Sequence, residues 1–461
     1  MRRAFVRLGV AALLLASCTG GQVDRTPPTT PGATDVIVDT RNVAVQDFAG
    51  FGAEWHPYAY SSRSAVPRLV KERIRFMQLP FVRVRMFASW YSDVDNEYDF
   101  SNTAMQPLYE ILDATKANGT DVVLTEWGSD DWSMDPWPID DPRYTQAVAD
   151  GLDHLINVRG YTNIRYVVIV NEPDINQLTF AQWSAAITDL HRELAARDLL
   201  GTVRVTGPDI CCTDGWWGSS IADLHERITA WDRHLYPDPE DVSSGSTEGF
   251  VRSAWDQVRS SDPDWTSKPF LLGEAGFQTW GQSSPGYAVD MADYAIQATR
   301  AGTSMMSAWM LDDESYPLGL DTEIPKWYGM WSNRDSGSTL KPWFYTWSLL
   351  SKLVRPGSTL YLATQPPGIR ALAARDPSTG TWTFVLVNRD PTRDRDVTVK
   401  VPGYEAVTYS RYVFNGIDGS GPHDANGFPL PVASGLSGDL GIGITVTILA
   451  NSVAYINAQT A

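Results

Sequence analysis

The stretch Arg165 to Pro173, RYVVIVNEP, decides the fold that we expect for the rest of the chain. Its apolar residues, Tyr166 to Val170, form an unbroken run rich in β-branched side chains. Such a run is typical of a strand buried on both faces, as in a parallel sheet covered by helices. Asn171 and Glu172 follow abruptly, and Pro173 disfavours the helical region for the residue before it. We therefore expect Glu172 to stay extended at the strand tip, the edge where α/β proteins bind ligands.

Apolar strand-like runs alternate with amphipathic helical stretches on both sides of this segment. Eight strands alternating with helices over this length predict a (β/α)8 TIM barrel. A doubly wound open sheet is the alternative, but no glycine-rich phosphate-binding loop follows an early strand. Besides the stretch above, the predicted barrel strands are Phe48–Trp55, Phe81–Met86, Asp121–Trp127, Val203–Asp209, Trp231–Tyr236, Phe270–Phe277 and Ser304–Met310.

The pattern changes after Arg355-Pro356-Gly357 to short alternating strands separated by Gly, Pro and Asp. This change is typical of an antiparallel β-sandwich. The alternating segment Asp35 to Val45 lies outside the barrel, and we expect it to complete the sandwich. The predicted division is a signal peptide over 1–18, a flexible tether over 19–33, sandwich strands over 34–47, a catalytic barrel over 48–353 and a β-sandwich over 354–461.

The N-terminus predicts export. Arg2, Arg3 and Arg7 precede an apolar run, Leu8 to Ala16, that is too short for a stable membrane span. The run ends in Leu15-Ala16-Ser17-Cys18, which resembles the lipobox of bacterial lipoproteins and implies that Cys18 becomes the lipidated first residue. Thr19 to Ala33, rich in Gly, Thr and Pro, has the composition of a flexible tether. We expect a lipid anchor outside the cytoplasmic membrane, with simple secretion as the alternative.

The two other cysteines, Cys211 and Cys212, are neighbours in the segment CCTDGWW. An exported chain meets oxidising conditions, so they form either a disulfide between neighbours or two free buried thiols. The sequence shows neither metal-ligand spacing nor a Cys/His nucleophile arrangement. We therefore expect no metal and no other cofactor.

Composition narrows the class of partner. The formal net charge of -18 disfavours nucleic acid and anionic polysaccharide. The 18 tryptophans exceed what a core requires, and their flat faces suit the apolar faces of sugar rings. We expect a monomer that binds a neutral polysaccharide or oligosaccharide. The candidate sugar-stacking residues, for which core packing is the alternative, are Trp55, Trp90, Trp127, Trp216, Trp217, Trp280 and Trp309.

Two carboxylates are expected to meet at the barrel mouth. Glu172 follows the fourth strand and Glu274 ends the seventh, and these strands lie across the mouth from each other. Cleavage of a glycosidic bond needs one protonated carboxyl group to protonate the leaving oxygen and one ionised group to attack or stabilise the sugar carbon. Their separation sets the stereochemistry, since a gap of roughly 5–5.5 Å gives retention and a wider gap admits a water.

The sixth strand, WDRHLY, adds neighbours to this site. Asp232, His234 and Tyr236 share one face of it by strand alternation. We expect Tyr236, at the tip, to hold an ionised Glu274 by a hydrogen bond. His234 is either a site residue or a hydrogen-bonded core histidine.

Two arginines, Arg83 and Arg85, share a face of the second strand, and Arg85 lies nearer the mouth. We expect Arg85 to lower the pKa of a nearby carboxylate and keep it a nucleophile. For Arg83 we expect an ion pair in the barrel interior or on the surface. Trp309, near the end of the eighth strand, is expected to lie under the bound sugar.

This set of residues resembles the catalytic signature of clan A glycoside hydrolases. The resemblance lies in Asn171-Glu172-Pro173 on a fourth strand and Glu274 on a seventh. It implies that Glu172 is the acid/base, that Glu274 is the nucleophile and that Asn171 contacts the sugar 2-hydroxyl. Three further substrate-binding candidates match clan positions on strands two and six: Arg85, His234 and Tyr236.

Within the clan, the chain is most similar to glycoside hydrolase family 30 and its relatives. The likeness rests on Gln46, Gly50-Phe51-Gly52, the segment VRMFASW and the sandwich fed by N-terminal strands. Two features depart from that family: Val-Arg-Met replaces an Arg-Val-Pro-like segment, and CCTDGWW has no counterpart.

We therefore expect a retaining glycoside hydrolase that cleaves a neutral polysaccharide internally by double displacement. An exo-acting xylosidase or arabinofuranosidase is the first alternative, and a non-catalytic glycan-binding lipoprotein is the second. A transglycosylase would use the same catalytic residues.

Overall fold

The computed structural model describes residues 34–57, 66–128, 137–176, 178–278, 281–317, 323–333, 336–404 and 406–460. The predictions for the signal peptide, for Cys18, for the tether over 19–33 and for Trp280 fall outside these residues. Within the described ranges, no helix combines the length and the apolar character that crossing a membrane requires.

A closed barrel of eight parallel strands forms the larger part of the fold, as predicted. It follows strand β1 (Asp35–Phe48), which belongs to the second domain. The first barrel strand pairs with both the second and the last, which closes the sheet without an edge. The barrel strands are β2 (Gly50–Glu54), β3 (Phe81–Met86), β4 (Asp121–Glu126), β5 (Ile164–Ile169), β6 (Arg204–Ile210), β7 (Ala230–Leu235), β8 (Phe270–Ala275) and β9 (Met305–Ala308).

Helices cover the barrel, and local sequence sets where several of them begin. Asp141 and Ser284 cap two N-termini and are each followed by a proline at the first helical position. Thr179 and Gln182 form a reciprocal capping box at a third. The α-helices are α1 (Arg68–Met77), α2 (Gln106–Asn118), α3 (Pro142–Asp153), α4 (Phe180–Ala196), α5 (Asp214–Leu224), α6 (Pro239–Ser244), α7 (Ser246–Ser261), α8 (Pro285–Arg300) and α9 (Trp343–Leu353).

One helix differs from the sequence pattern. The pattern predicts a helix over Ile221–Thr229, but α5 begins at Asp214 and ends at Leu224. Asp214 lies in its first turn, where a carboxylate is favoured by the helix dipole. The segment CCTDGWW is therefore partly helical, and its two tryptophans lie on α5.

The second domain is the predicted β-sandwich. A separate two-stranded sheet, β10 (Glu314–Pro317) and β11 (Glu323–Lys326), precedes it. The sandwich strands pair in the order β17-β16-β19-β14-β13-β12-β1-β15-β18. All of these pairs are antiparallel except β1 with β15, which is parallel. After β1, the strands are β12 (Ser358–Ala363), β13 (Ile369–Arg375), β14 (Trp382–Asn388), β15 (Arg395–Lys400), β16 (Ala406–Asn415), β17 (Ala433–Asp439), β18 (Ile444–Ile448) and β19 (Ser452–Thr460).

Strand β1 completes the sandwich, as the sequence predicted, and its end also packs into the barrel core. Val36 and Val38, near its start, are buried in the sandwich core. Val45 and Phe48, near its end, are buried in the barrel core, where the Phe48 ring lies 4.9 Å from that of Phe51. Burial of each such side chain contributes about 1.5–3 kcal/mol. A single strand therefore anchors the barrel to the sandwich through both cores.

Candidate active site

Glu172 lies on a tight turn at the end of β5. The strand ends at Ile169, and both Val170 (φ 63°) and Glu172 (φ 47°) adopt the left-handed region. The expectation that Glu172 stays extended is therefore wrong. Pro173 disfavours the right-handed helical region for the preceding residue, and the observed left-handed conformation avoids that region. A left-handed non-glycine residue costs about 1–3 kcal/mol, and such strain gathers at functional sites.

The two predicted carboxylates meet at one histidine. His234 Nδ1 lies 2.9 Å from Glu172 Oε1 and 3.6 Å from Glu274 Oε2. One oxygen of Glu172 lies within 4.8 Å of one oxygen of Glu274. The Tyr236 hydroxyl donates to Glu274 Oε2 at 2.6 Å, in the contact that the sequence led us to expect. The mouth thus holds a close pair of carboxylates with different surroundings, since the Glu274 side chain is 5% exposed and the Glu172 side chain 18%.

The arginine that holds Glu274 is Arg83. Its Nη1 donates to Glu274 Oε1 at 2.8 Å, and its Nη2 donates to Asn171 Oδ1 at 2.9 Å. The prediction gave this contact to Arg85, whose guanidinium instead lies 3.9 Å from the centre of the Trp127 ring. Both arginines are buried on β3. Arg83 starts two residues deeper in the barrel than Arg85, and its side chain extends up to the carboxylates.

Arg83 also binds two acidic residues that the sequence analysis did not single out. Glu54, at the end of β2, accepts from Nη1 at 3.1 and 3.2 Å, and Asp209, near the end of β6, accepts from Nη2 at 3.0 Å. Both carboxylates are 1% exposed. They follow the same rule that selected Glu172 and Glu274, an acid at the carboxyl end of a barrel strand. That signal was present in both segments and would have found them.

A second buried histidine continues this network. His56 Nε2 lies 2.5 Å from Glu54 Oε1, and its Nδ1 lies 3.0 Å from Glu314 Oε2. Burial and Arg85 lower the pKa of His56, but Glu314 and Glu54 outweigh them, so its pKa is raised. His56 and Arg83 therefore both bind the Glu54 carboxylate.

Burial dominates the electrostatics of Glu274. It raises the pKa of this carboxyl above the ordinary value, while His234 and Arg83 oppose that rise. Burial lowers the pKa of His234, but Glu274 and Asp209 outweigh it and raise that pKa well above the ordinary value. Burial and the nearby Glu274 raise the pKa of Tyr236 as well, which keeps it a neutral phenol that donates. Glu274 is therefore surrounded by two cations and one hydroxyl donor.

His234 is fully buried, so it does not offer the substrate contact that was predicted for it. The alternative, a hydrogen-bonded core histidine, describes its position. Its bonds run to the catalytic candidates themselves, through Nδ1 to Glu172 and through Nε2 to Asp209 at 3.1 Å. Its effect on the site is therefore exerted through the carboxylates.

Two predicted aromatic residues stand together at the mouth. The rings of Trp127 and Trp309 lie 6.4 Å apart, and His56 meets both edge-on at 5.7 and 5.1 Å. Trp127 is half-buried and Trp309 is 8% exposed. Both stay predictions as sugar-contacting residues.

The other tryptophans divide by burial. Trp55 and Trp217 are each 1% exposed, so the prediction that they stack on sugar is wrong. Trp217 lies on α5, where its indole N–H donates to Ala254 and its ring packs edge-on against Trp231. The early start of α5 turns this residue towards the core. Trp90 and Trp216 are half-buried. The ring of Trp90 packs against Phe87, and that of Trp216 packs against Phe180 and Trp183.

The neighbouring cysteines are joined. A disulfide links Cys211 and Cys212, which settles the alternative that the sequence left open. Asp174, two residues beyond Glu172, accepts backbone N–H bonds from Cys212 at 2.9 Å and from Thr213 at 2.7 Å. The disulfide-bonded loop after β6 is thereby tied to the loop that carries Glu172.

The same side chains contain two trios of possible metal-ligating atoms, each within 4.8 Å of one another: Glu172, His234 and Glu274, and Asp209, Asp232 and His234. Both trios depend on His234. Its two nitrogens lie 2.9 Å from Glu172 and 3.1 Å from Asp209, so both are already engaged by members of the trios themselves. The expectation of no metal and no cofactor stays a prediction.

Comparison with known proteins supports the architecture. No family model and no curated protein matches this chain. Among solved structures, the fold is similar to a glycoside hydrolase family 30 subfamily 8 xylanase from Clostridium acetobutylicum, at TM-score 0.66 and 16% identity, covering 93% of this chain and 100% of that one. A family 30 endoxylanase from Clostridium papyrosolvens C71 matches at TM-score 0.66 and 15% identity, covering 93% of this chain and 100% of that one. An α-L-arabinofuranosidase from Thermotoga maritima matches at TM-score 0.66 and 13% identity, with the same coverage of 93% and 100%.

The TM-scores establish a shared fold, and at such low sequence identity the likeness extends to the fold alone. The fold is a TIM barrel with a second β domain, which agrees with the resemblance to clan A and family 30 that the motifs indicated.

We predict that Arg83→Met destabilises the fold by about 3–5 kcal/mol at neutral pH, because three buried carboxylates lose their shared cation. Without it, the folded-state pKa values of Asp209 and Glu274 rise above the unfolded values, since Arg83 helps to lower both. Stability is then retained below about pH 4 and lost as the pH rises. Denaturant unfolding at acidic and neutral pH measures the difference.

The matched control adds Glu54→Gln to Arg83→Met. The double variant should be more stable than the single variant at neutral pH, since one uncompensated buried charge is gone. Equal stability of the two variants, or a loss that does not depend on pH, would contradict the role given to Arg83.

Proposed function

We propose that this chain is a retaining glycoside hydrolase, with Glu274 as the nucleophile and Glu172 as the acid/base. The observation that supports it is the approach of the two carboxyl groups to within 4.8 Å, oxygen to oxygen. This spacing suits direct attack by one carboxylate on the sugar carbon and is short for an inverting enzyme, which needs room for a water between the groups.

Glu274 suits the role of nucleophile because its donors fix both oxygens. Arg83 binds Oε1 at 2.8 Å and Tyr236 binds Oε2 at 2.6 Å. These donors favour the ionised form against the burial that opposes it. They also aim the carboxylate at the mouth, where Glu172 lies.

Glu172 suits the role of acid/base because it is the more exposed carboxyl and lies beside Glu274. In the first step Glu172 passes a proton to the leaving oxygen while the Glu274 carboxylate attacks the sugar carbon. Glu172 is then a carboxylate, and Glu274 carries no charge because it has become a glycosyl ester. Glu172 can then act as base on the incoming water, which completes double displacement.

Asn171 is oriented for a sugar hydroxyl. Its Oδ1 accepts from Arg83, so the amide must turn its Nδ2 hydrogens elsewhere. We assign these hydrogens to the sugar 2-hydroxyl and assign the faces of Trp127 and Trp309 to the sugar ring.

A neutral polysaccharide is the proposed substrate, because the net charge of -18 would repel an anionic one. Internal cleavage is the proposed mode, supported by the likeness in fold to an endoxylanase. The likeness in fold to an α-L-arabinofuranosidase supports chain-end cleavage as the second candidate. Product sizing after digestion of a polysaccharide panel separates the two, since internal cleavage releases oligosaccharides first. A non-catalytic binding protein would need neither the close approach of Glu172 to Glu274 nor the bond from Arg83 to Glu274.

We predict that Glu274→Ala abolishes turnover, because no other group can form the glycosyl ester. Glu172→Ala should still act on aryl glycosides whose leaving group is already acidic, and azide should restore its rate by replacing the deglycosylating water. The measurement is kcat on such a substrate with and without azide.

The control is Glu226→Ala, which removes an exposed acid and should match the wild-type rate. Turnover by Glu274→Ala without an added nucleophile would contradict the assignment. Equal loss in Glu172→Ala on activated and natural substrates would contradict it too.

We also propose that the mature protein is held outside the cytoplasmic membrane by a lipid on Cys18. The support is the lipobox-like Leu15-Ala16-Ser17-Cys18 and the tether composition that follows it. We predict that Cys18→Ala moves the protein out of the membrane fraction, measured by fractionation and immunoblotting. Ser17→Ala is the control that keeps the thiol and should stay in the membrane fraction. An unchanged distribution of Cys18→Ala would refute the anchor.

A further inference from the structure

Asp232, on β7, is a buried carboxyl that the proposed mechanism does not use. It is fully buried in the barrel, and its Oδ1 accepts from the backbone N–H of Gly273 at 2.8 Å. A Cβ atom at Gly273 would lie 2.6 Å from both oxygens of Asp232, so a glycine before Glu274 leaves the room that this carboxyl occupies. Among the described residues, no hydrogen-bond donor reaches Asp232 Oδ2.

The neighbour of Asp232 is a second buried carboxyl, Asp209 on β6. Asp209, Asp232 and His234 offer polar atoms within 4.8 Å of one another. Asp209 already accepts hydrogen bonds from Arg83 and from His234, so its ionised form is well supported. Burial raises the pKa of Asp209, yet Arg83 and His234 hold it below the ordinary value.

Two carboxylates at this distance in a buried site do not both ionise. Burial and the charge of Asp209 raise the pKa of Asp232 well above the ordinary value, although His234 and Arg83 oppose this. When Asp232 is protonated, its Oδ2 can carry the hydrogen. This oxygen, which no donor from the described part of the chain reaches, then becomes a hydrogen-bond donor itself. The acceptor nearest to hand is the Asp209 carboxylate, which has an oxygen within 4.8 Å of one of Asp232.

Asp209 passes the effect to the acid/base. It accepts from His234 Nε2 at 3.1 Å, and the other nitrogen of the same ring lies 2.9 Å from Glu172 Oε1. Hydrogen bonds therefore connect Asp209 through His234 to Glu172, and a carboxylate oxygen of Asp232 lies within 4.8 Å of one of Asp209 at the start of this chain. The strength of the bond between His234 Nδ1 and Glu172 depends on how strongly Asp209 binds the hydrogen on Nε2 of the same ring.

We propose that Asp232 is a positioning residue that stays a neutral carboxylic acid, donates its proton to Asp209 and thereby tunes the hold of His234 on Glu172. This inference rests on the proposed function and adds to it a residue that lies beneath the catalytic pair. Asp232 does not contact the substrate, and Arg83, Asp209 and His234 are the charged groups that face it.

Two substitutions separate the neutral form from the charged form. Asp232→Asn keeps the shape and an N–H donor towards Asp209, so it should act as the wild type does. Asp232→Leu removes the donor, so Asp209 holds the imidazolium more strongly and the bond from His234 Nδ1 to Glu172 weakens. His234 then stabilises negative charge at Glu172 less, and activity should persist to higher pH.

The experiment is the pH profile of kcat/KM for both variants on an aryl glycoside. Asp232→Asn should keep the alkaline limb at the wild-type position, while Asp232→Leu should move it up by about one pH unit and lower kcat roughly tenfold. The control is Asp293→Asn on α8, a buried carboxyl paired with Arg370 and Arg389 away from the mouth, which should leave the limb in place. Equal shifts in both Asp232 variants, or no shift in either, would overturn the proposal.

A second measurement does not need activity. A carboxyl that keeps its proton when folded loses stability as the pH rises above its unfolded pKa of about 4. Asp232→Asn lacks this penalty, so its Tm relative to the wild type should rise between about pH 4 and pH 7. A difference that stays flat or falls would show a charged Asp232 and refute the proposal. If the wild type hydrolyses no glycoside, the proposed function fails, and this Tm series still decides whether Asp232 carries the proton.

Discussion

The site depends on one buried cation. The Arg83 guanidinium binds Glu54, Asp209 and Glu274 together with the Asn171 amide, and all are nearly excluded from solvent. Three carboxylates at this depth would repel one another and lose much of their solvation without it. The cation lets residues from four barrel strands or strand ends share one centre. The position of the nucleophile, the orientation of Asn171 and the charge on Asp209 all follow from this centre.

The sequence predicted the fold well because its signals are local. Apolar runs of strand length, alternating with helical stretches, identify eight barrel strands, and the short alternating strands identify the sandwich. The parallel pairing of β1 with β15 is different, because it joins segments far apart in the chain and has no local signature. The place of Asp35 to Val45 in the sandwich was predicted because the barrel already had eight strands without this segment.

The site was predicted in part, for reasons that particular residues make clear. Glu172 and Glu274 lie at strand ends, where the barrel itself fixes their meeting point, whereas the choice between Arg83 and Arg85 depends on side-chain reach, which strand alternation does not specify. The left-handed turn at Glu172 depends on tertiary contacts that Pro173 alone does not set. Trp217 was misplaced because the start of α5 at Asp214 was missed. Glu54 and Asp209 were missed although the same strand-end rule applied to them.

The central claim is that Glu274 attacks the sugar carbon and that the anomeric configuration is retained. Trapping with a mechanism-based fluorosugar of the matching configuration, followed by peptide mapping, tests it most directly. The account predicts one sugar on the peptide that contains Glu274, and a first-formed product with the same anomeric configuration as the substrate in the NMR spectrum. A label on another residue, or a product of inverted configuration, would contradict it.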